Sequence, residues 1–101
     1  KPKYQWGPAL WNFIHTISIT NSIEQSNNIR NMLQHIYNII PCPSCTDLYK
    51  LHLTFLYTID LSQPLSLFKW SVDLHNAVNK KLNKPIWSFE DARKYWSIQV
   101  S

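Results

Sequence analysis

The scarcity of glycine is the feature that most limits the folds open to this chain. Gly7 is the only glycine among its 101 residues. Tight hairpin loops and the glycine-rich loops that bind nucleotide phosphates need positions with positive φ, which glycine adopts without steric cost. The sequence therefore disfavours most all-β folds, P-loops and dinucleotide-binding fingerprints, and it favours an all-α fold.

Apolar spacing and the positions of proline predict where the helices begin and end. We expect helices at about 7–18, 22–39, 43–55 and 64–82, and a short fifth helix that starts at about residue 88. In the third helix, Leu48, Leu51 and Phe55 are expected to face inward. Four main helices with short connections predict a four-helix bundle plus a short fifth helix.

Length, charge and hydropathy define the class of protein further. The 101 residues and 45% hydrophobic content fit one domain that spans residues 1–101. A net charge of +4 favours an anionic ligand or partner, but the excess is mild and forms no long basic run, so we expect no nucleic-acid binding. No apolar segment approaches the roughly 20 residues of a membrane span, so we expect no membrane partner.

The two cysteines form the most informative local motif. Cys42 and Cys45 are three residues apart, each follows a proline, and both lie at the expected start of the third helix. Such a pair can close a small disulfide beside unpaired backbone N–H groups, where the positive end of the helix dipole stabilises a thiolate. The arrangement is suited to thiol–disulfide exchange.

The motif alone leaves other interpretations open. A zinc site would need histidine ligands, yet His15, His35, His52 and His75 lack the usual paired spacing. A thioredoxin-like domain would need neighbouring strand patterns, which are absent from the sequence. Two inert buried thiols, or a noncatalytic helical interaction module with a static disulfide, are also compatible with it. If the pair is catalytic, net oxidation needs a second electron acceptor, and a flavin is the natural candidate.

Three segments together resemble the Erv/ALR family of FAD-linked sulfhydryl oxidases. WGPALWNFIHT, residues 6–16, is similar to the family's opening helix, and PCPSC, residues 41–45, resembles its proline-preceded C-x-x-C. WSVDLHNAVNKKLNKP, residues 70–85, looks like the signature W-x-x-x-x-H-N-x-V-N-x-x-L-x-K-P. The match is most like the minimal members that large DNA viruses encode.

The resemblance implies a function and roles for individual residues. A dithiol would be oxidised, and its electrons would pass through Cys42 and Cys45 to FAD and then to molecular oxygen, giving hydrogen peroxide. Cys42 would be the sulfur that substrate attacks, and Cys45 the sulfur beside the flavin. No metal ligands are expected. The expected cofactor-binding residues are Gly7, Trp11, His15, Trp70, His75, Asn76, Val78, Asn79, Lys81, Leu82, Lys84 and Trp87.

Partners and compartment follow from the same resemblance. With only two cysteines in the chain, the substrate is expected to be a thiol-containing protein or a thioredoxin-like redox carrier. A homodimer is expected, and it would be noncovalent. Viral members imply the host cytoplasm or a virion assembly site, and cellular members imply the mitochondrial intermembrane space or the secretory pathway.

Overall fold

The structure, a computed structural model, describes residues 6–20, 22–39 and 43–100, with the backbone alone at 6, 43–45 and 98–100. Over these residues it contains five helices and no strand. The helices are α1 (Trp6–Thr20), α2 (Ile23–Ile36), α3 (Pro43–Leu56), α4 (Ser66–Lys81) and α5 (Phe89–Val100). The all-α prediction is confirmed, and α5, with 12 residues, is nearly as long as α2.

Local chemistry explains two helix boundaries. The Ser88 hydroxyl accepts the Asp91 N–H at 3.1 Å, which is the capping interaction expected at the start of α5. At the other end of α4, Asn83 adopts a left-handed φ of 58° and the Lys84 N–H bonds to the Asn79 carbonyl at 2.8 Å. The left-handed residue followed by this bond is typical of a Schellman motif, which ends α4 and reverses the direction of the chain.

Two boundaries differ from the expected ones. Helix α2 ends at Ile36 rather than near Ile39, because the N–H groups of Asn38 and Ile39 bond three residues back instead of four. Helix α4 begins at Ser66 rather than at Pro64, because Leu65 has a left-handed φ of 64°. A left-handed bulky residue carries no sequence signal and cannot be read from apolar spacing.

Helix α4 lies at the centre of the packing. Helices α1, α3 and α5 all pack against it, and α1 also packs against α5 and α2. One side of α4 joins the main core through Leu67, Trp70 and Leu74. Another side packs Phe68 and Val72 against α5. None of the helices described is both long enough and apolar enough to cross a membrane.

The prediction of which face of α3 is buried was wrong. Leu51 and Phe55 are each 53% exposed, and Leu48 is only half-buried. Tyr49 and Leu56 are instead buried, at 3% and 0% exposure. Both sets of residues follow helical spacing, and the tyrosine face packs inward because its hydroxyl finds a buried hydrogen-bond partner, as described below.

Candidate cofactor site and thiol pair

The thiol motif lies at the start of α3. Helix α3 begins at Pro43, directly after Cys42, as expected, and Cys45 is in its first turn. Cys42 and the side chain of Cys45 lie outside the described residues. The described part of α3 is held by contacts with α2 and α4.

Tyr49, one turn beyond Cys45, connects α3 to the end of α2. Its hydroxyl donates to the carbonyl of Leu33 at 2.5 Å, and burial raises the pKa of Tyr49 well above its usual value. The hydroxyl is therefore a permanent donor near neutral pH. Because Leu33 is in the last turn of α2, this bond fixes α2 and α3 relative to each other on either side of the segment that contains Cys42.

Trp70 supports the same junction from α4. Its indole N–H donates to the carbonyl of His52 at 2.7 Å, and its ring meets the ring of Tyr49 edge to face at 5.7 Å. Trp70 is only 4% exposed. The first residue of the third motif therefore fixes α3 on α4.

A histidine pair connects α1 to α4. His15 Nε2 and His75 Nδ1 are 2.9 Å apart, and His15 Nδ1 is 2.9 Å from the hydroxyl of Ser71. The hydroxyl donates its proton to the Phe68 carbonyl at 2.6 Å, so it accepts from His15. This assigns the proton of His15 to Nδ1, and His75 then donates from its own Nδ1. His75 Nε2 is left as an acceptor.

Both imidazoles are neutral near pH 7. Burial, together with the neighbouring His75, lowers the pKa of His15 to about 3. Burial also lowers the pKa of His75 to about 4, and the Lys84 ammonium contributes by repelling a second positive charge. Trp11 covers the pair, since its ring stacks on His75 at 4.0 Å with an angle of 6° between the planes.

A cleft opens beside this pair on the side of α5. Its volume is about 10 Å³, which is room for about one water molecule. It is lined by His15, Val72, His75, Asn76, Trp87, Ala92 and Trp96. Four of these seven residues carry aromatic or imidazole rings, which come from α1, α4, the α4–α5 connection and α5, so the cleft offers flat surfaces suited to stacking on a planar ring.

Asn76 holds one wall of the cleft. Its Nδ2 donates to the Trp87 carbonyl at 2.7 Å, and its Oδ1 accepts the Trp87 N–H at 2.9 Å. The Trp87 ring also contacts Tyr95 at 5.3 Å. These contacts fix the connection between α4 and α5 over the cleft.

Comparison with known proteins identifies the family. The profile of the Erv1 / Alr family matches residues 8–97, nearly the whole chain. The chain belongs to the Erv1/Alr family. The resemblance noted in the three motifs is thus confirmed.

Named relatives come from viruses and plants. The chain is 30% identical over 101 residues to 347L of Invertebrate iridescent virus 6, whose name describes a FAD-linked sulfhydryl oxidase, with 90% of this chain and 91% of the relative covered. It is 30% identical over 106 residues to the FAD-linked sulfhydryl oxidase of African swine fever virus, with 94% and 82% covered. It is 26% identical to the FAD-linked sulfhydryl oxidase ERV1 of Oryza sativa subsp. japonica, but spans only 50% of that protein.

The remaining residues of the Erv1/Alr signature lie at the C-terminal end of α4. Asn79 is buried and its carbonyl takes part in the helix-ending bond described above, and Val78 is half-buried. Leu82 is 53% exposed. Lys81 and Lys84 are exposed, and Lys84 is near enough to His75 to affect its pKa. None of these five residues lines the cleft beside the histidine pair.

Gly7 lies in the first turn of α1, away from close contacts. A Cβ built there meets nothing within 4 Å in the described structure. Packing within the described chain therefore does not require a glycine at this position.

Sequence reasoning missed Ser71 and Trp96. Ser71 is one turn before His75 on α4, so its i, i+4 spacing was a usable signal for a shared face. Trp96 contacts His15 with ring centroids 4.8 Å apart, and no local pattern distinguishes it from an ordinary core residue. Among the described residues, no group of three or more His, Cys, Asp or Glu side chains could hold a metal ion.

Proposed function

We propose that this chain is a FAD-dependent thiol oxidase that forms disulfides in a thiol-containing protein or a redox carrier. One observation carries the proposal. His15 of the first motif and His75 and Asn76 of the third line one cleft, and α3, in whose first turn the C-x-x-C ends, packs on the same central helix α4. Relatives named FAD-linked sulfhydryl oxidase supply the activity.

The residues at the cleft fit part of FAD. Whole-ligand pockets have volumes of about 300–1,000 Å³. The cleft is much smaller than this, about 10 Å³, so a ring of FAD would lie over its lining residues rather than inside it. We assign the adenine here, because the cleft is on the α5 side of α4 while the thiol motif is on α3. Lys84 is the nearby cation available to the pyrophosphate.

The histidine pair would serve adenine as a neutral, preorganised surface. Burial keeps both imidazoles uncharged, so no positive charge has to be desolvated when a neutral purine covers them. His75 Nε2 can accept a hydrogen bond from a donor on the base or ribose. Trp87 and Trp96 offer ring faces for stacking.

The thiol chemistry requires both cysteines. A substrate thiolate attacks Cys42 of the Cys42–Cys45 disulfide, forms a mixed disulfide and releases Cys45 as a thiolate. A second substrate thiolate attacks the substrate sulfur of that mixed disulfide, so substrate leaves oxidised and the cysteine pair is left reduced by two electrons. Bound FAD would accept this electron pair from Cys45 and pass it to dioxygen, giving hydrogen peroxide and regenerating the enzyme disulfide.

The partners follow from the cysteine count. These 101 residues contain two cysteines and both are assigned to this reaction, so no cysteine within them is left for a shuttle disulfide or an intersubunit bridge. Substrate thiols, or a thioredoxin-like carrier, would therefore reach Cys42 directly. A homodimer of this chain would be held by noncovalent contacts.

Two cysteine variants and a matched control test the function. The purified protein should be yellow and should consume oxygen with dithiothreitol, whereas a noncatalytic module would be colourless. Cys42→Ser and Cys45→Ser should each retain FAD and lose oxygen consumption, because either change removes the disulfide that accepts two electrons from the substrate. Ser44→Ala, between the cysteines, should keep both properties since it removes no thiol. Full turnover by Cys45→Ser would refute the proposed electron path.

A further inference from the structure

Both cysteines lie between two residues that share a buried hydrogen bond. The Tyr49 hydroxyl donates to the Leu33 carbonyl at 2.5 Å, and these two residues are 16 positions apart in the chain. Cys42 and Cys45 both fall within that stretch. The hydrogen bond therefore closes a loop of the chain that contains the whole C-x-x-C motif.

The surroundings of Tyr49 favour this bond. Tyr49 is 3% exposed and Leu33 is fully buried, so water does not readily replace the hydroxyl as donor. The Leu33 carbonyl is one of the last four carbonyls of α2, which helix geometry leaves without an intrahelical donor. The Tyr49 ring also contacts the rings of Trp70 and Tyr37, with centroids 5.7 and 6.3 Å apart. The hydroxyl is thus held in place by packing as well as by its acceptor.

The same residue is close in the chain to both cysteines. Cys45 is in the first turn of α3, and Tyr49 is one helical turn further on. Cys42 directly precedes α3, in the connection that comes from α2. A movement of α3 relative to the end of α2 would therefore move Cys45 relative to the connection that contains Cys42.

We propose that Tyr49 is a positioning residue for the reactive thiol pair, because its bond to Leu33 stabilises the Cys42–Cys45 disulfide relative to the dithiol. The inference rests on the part of the proposed function that assigns a reversible disulfide to these cysteines. Its physical basis is loop closure: a stretch of chain whose ends are already held loses less conformational entropy when a disulfide forms within it. A more stable disulfide restricts the substrates to more strongly reducing thiols.

A redox titration measures this effect without oxygen consumption. Holoprotein is equilibrated under anaerobic conditions with reduced and oxidised glutathione. Two glutathione thiols give up two electrons and two protons and form an S–S bond, while the Cys42–Cys45 bond breaks to give two thiols. Free cysteines are then alkylated and counted by mass spectrometry. The equilibrium constant for reduction of the pair should rise about fivefold in Tyr49→Phe, the effect of losing one buried hydrogen bond.

Two control variants separate this role from general packing. Tyr57→Phe removes the same hydroxyl from a tyrosine that is 55% exposed and lies just after α3, so it should keep the equilibrium constant of the unmodified protein. Leu56→Ala removes a fully buried side chain at the far end of α3. It should lower the stability to urea but keep the equilibrium constant, because the bond between Tyr49 and Leu33 remains.

The outcomes separate this inference from the function on which it rests. An unchanged equilibrium constant in Tyr49→Phe would show that the bond supports packing alone, and an equal rise in Leu56→Ala would show a general loosening; either result overturns the inference. If the unmodified protein forms no disulfide in excess oxidised glutathione, the inference and the proposed function both fail. If the pair titrates as expected but the unmodified protein consumes no oxygen with dithiothreitol, the oxidase function fails and the role of Tyr49 is supported.

Discussion

Acidification from pH 7 to pH 5 should destabilise this protein through the His15–His75 pair. In the unfolded chain a histidine binds a proton below about pH 6.5. In the folded protein the pKa of His15 is lowered to about 3 and that of His75 to about 4. The unfolded state therefore binds more protons as the pH falls, so the free energy of unfolding decreases below pH 6.5 and continues to decrease until the folded pKa values are reached.

The size of the effect at pH 5 depends mainly on the unfolded pKa. Each pH unit below 6.5 costs about 1.4 kcal/mol per histidine that stays neutral when folded, so 1.5 units cost about 2 kcal/mol for the fully buried His15. His75 is only partly buried, and solvent screening reduces its share to about 1 kcal/mol. We therefore expect a loss of about 3 kcal/mol in the free energy of unfolding.

Urea unfolding at the two pH values, with FAD held at one saturating concentration, measures this loss. Far-UV circular dichroism reports the transition. His75→Asn should reduce the difference between pH 7 and pH 5 by about 1 kcal/mol, because it removes one of the two protonation sites. His35→Asn, a change at an exposed histidine of α2, serves as the control and should leave the difference intact. Equal stability of the unmodified protein at both pH values would refute the assignment of a neutral buried pair.

Four further substitutions test the packing, each by urea unfolding at pH 7. Ser18→Ala should raise the free energy of unfolding by about 1 kcal/mol, because the buried Ser18 hydroxyl has no hydrogen-bond partner in the described structure and alanine favours a helix. A decrease in the free energy of unfolding would show that the hydroxyl does have a partner. Tyr49→Phe should lower it by about 1–2 kcal/mol, because the Leu33 carbonyl loses its donor, and no change would contradict the role of that bond. Leu56→Ala should lower the free energy of unfolding by about 2–5 kcal/mol, and Phe55→Ser, on the exposed face, should lower it by about 0.5 kcal/mol or less. Equal losses for the two variants would contradict the assignment of the buried and exposed faces of α3.

The fold was largely predictable because prolines and apolar spacing are local signals. Pro43 and Pro85 mark helix boundaries that the structure reproduces at the start of α3 and at the end of α4. The errors have a tertiary cause. On α3 two neighbouring faces follow helical spacing, and the choice between them depends on the Tyr49 bond to a carbonyl 16 residues away.

The sequence singled out four of the seven residues that line the cleft, namely His15, His75, Asn76 and Trp87, but it did not predict their arrangement. Spacing places Trp11 one turn before His15, and the third motif contains His75. The hydrogen bonds among His15, His75 and Ser71 bridge 56 to 60 residues of sequence, so no local pattern contains them. The two hydrogen bonds between the Asn76 amide and the Trp87 backbone depend likewise on how the chain reverses after α4.

Helix α4 can contribute residues to two separate sites, because those residues lie on different faces of the helix. Trp70 and His75 are five residues apart, which places them about 140° apart around the helix axis. Trp70 faces the α3 junction beside the thiol motif, and His75 faces α1 and the cleft. A substitution that loosens the α3 junction can therefore disturb the start of α3 while the cleft stays formed, and a change at Asn76 or Trp87 can do the reverse. The proposed oxidase needs both the thiol pair and the cleft. Bound FAD would contact both faces of α4 and would thereby connect the residues that bind it to the cysteines that react.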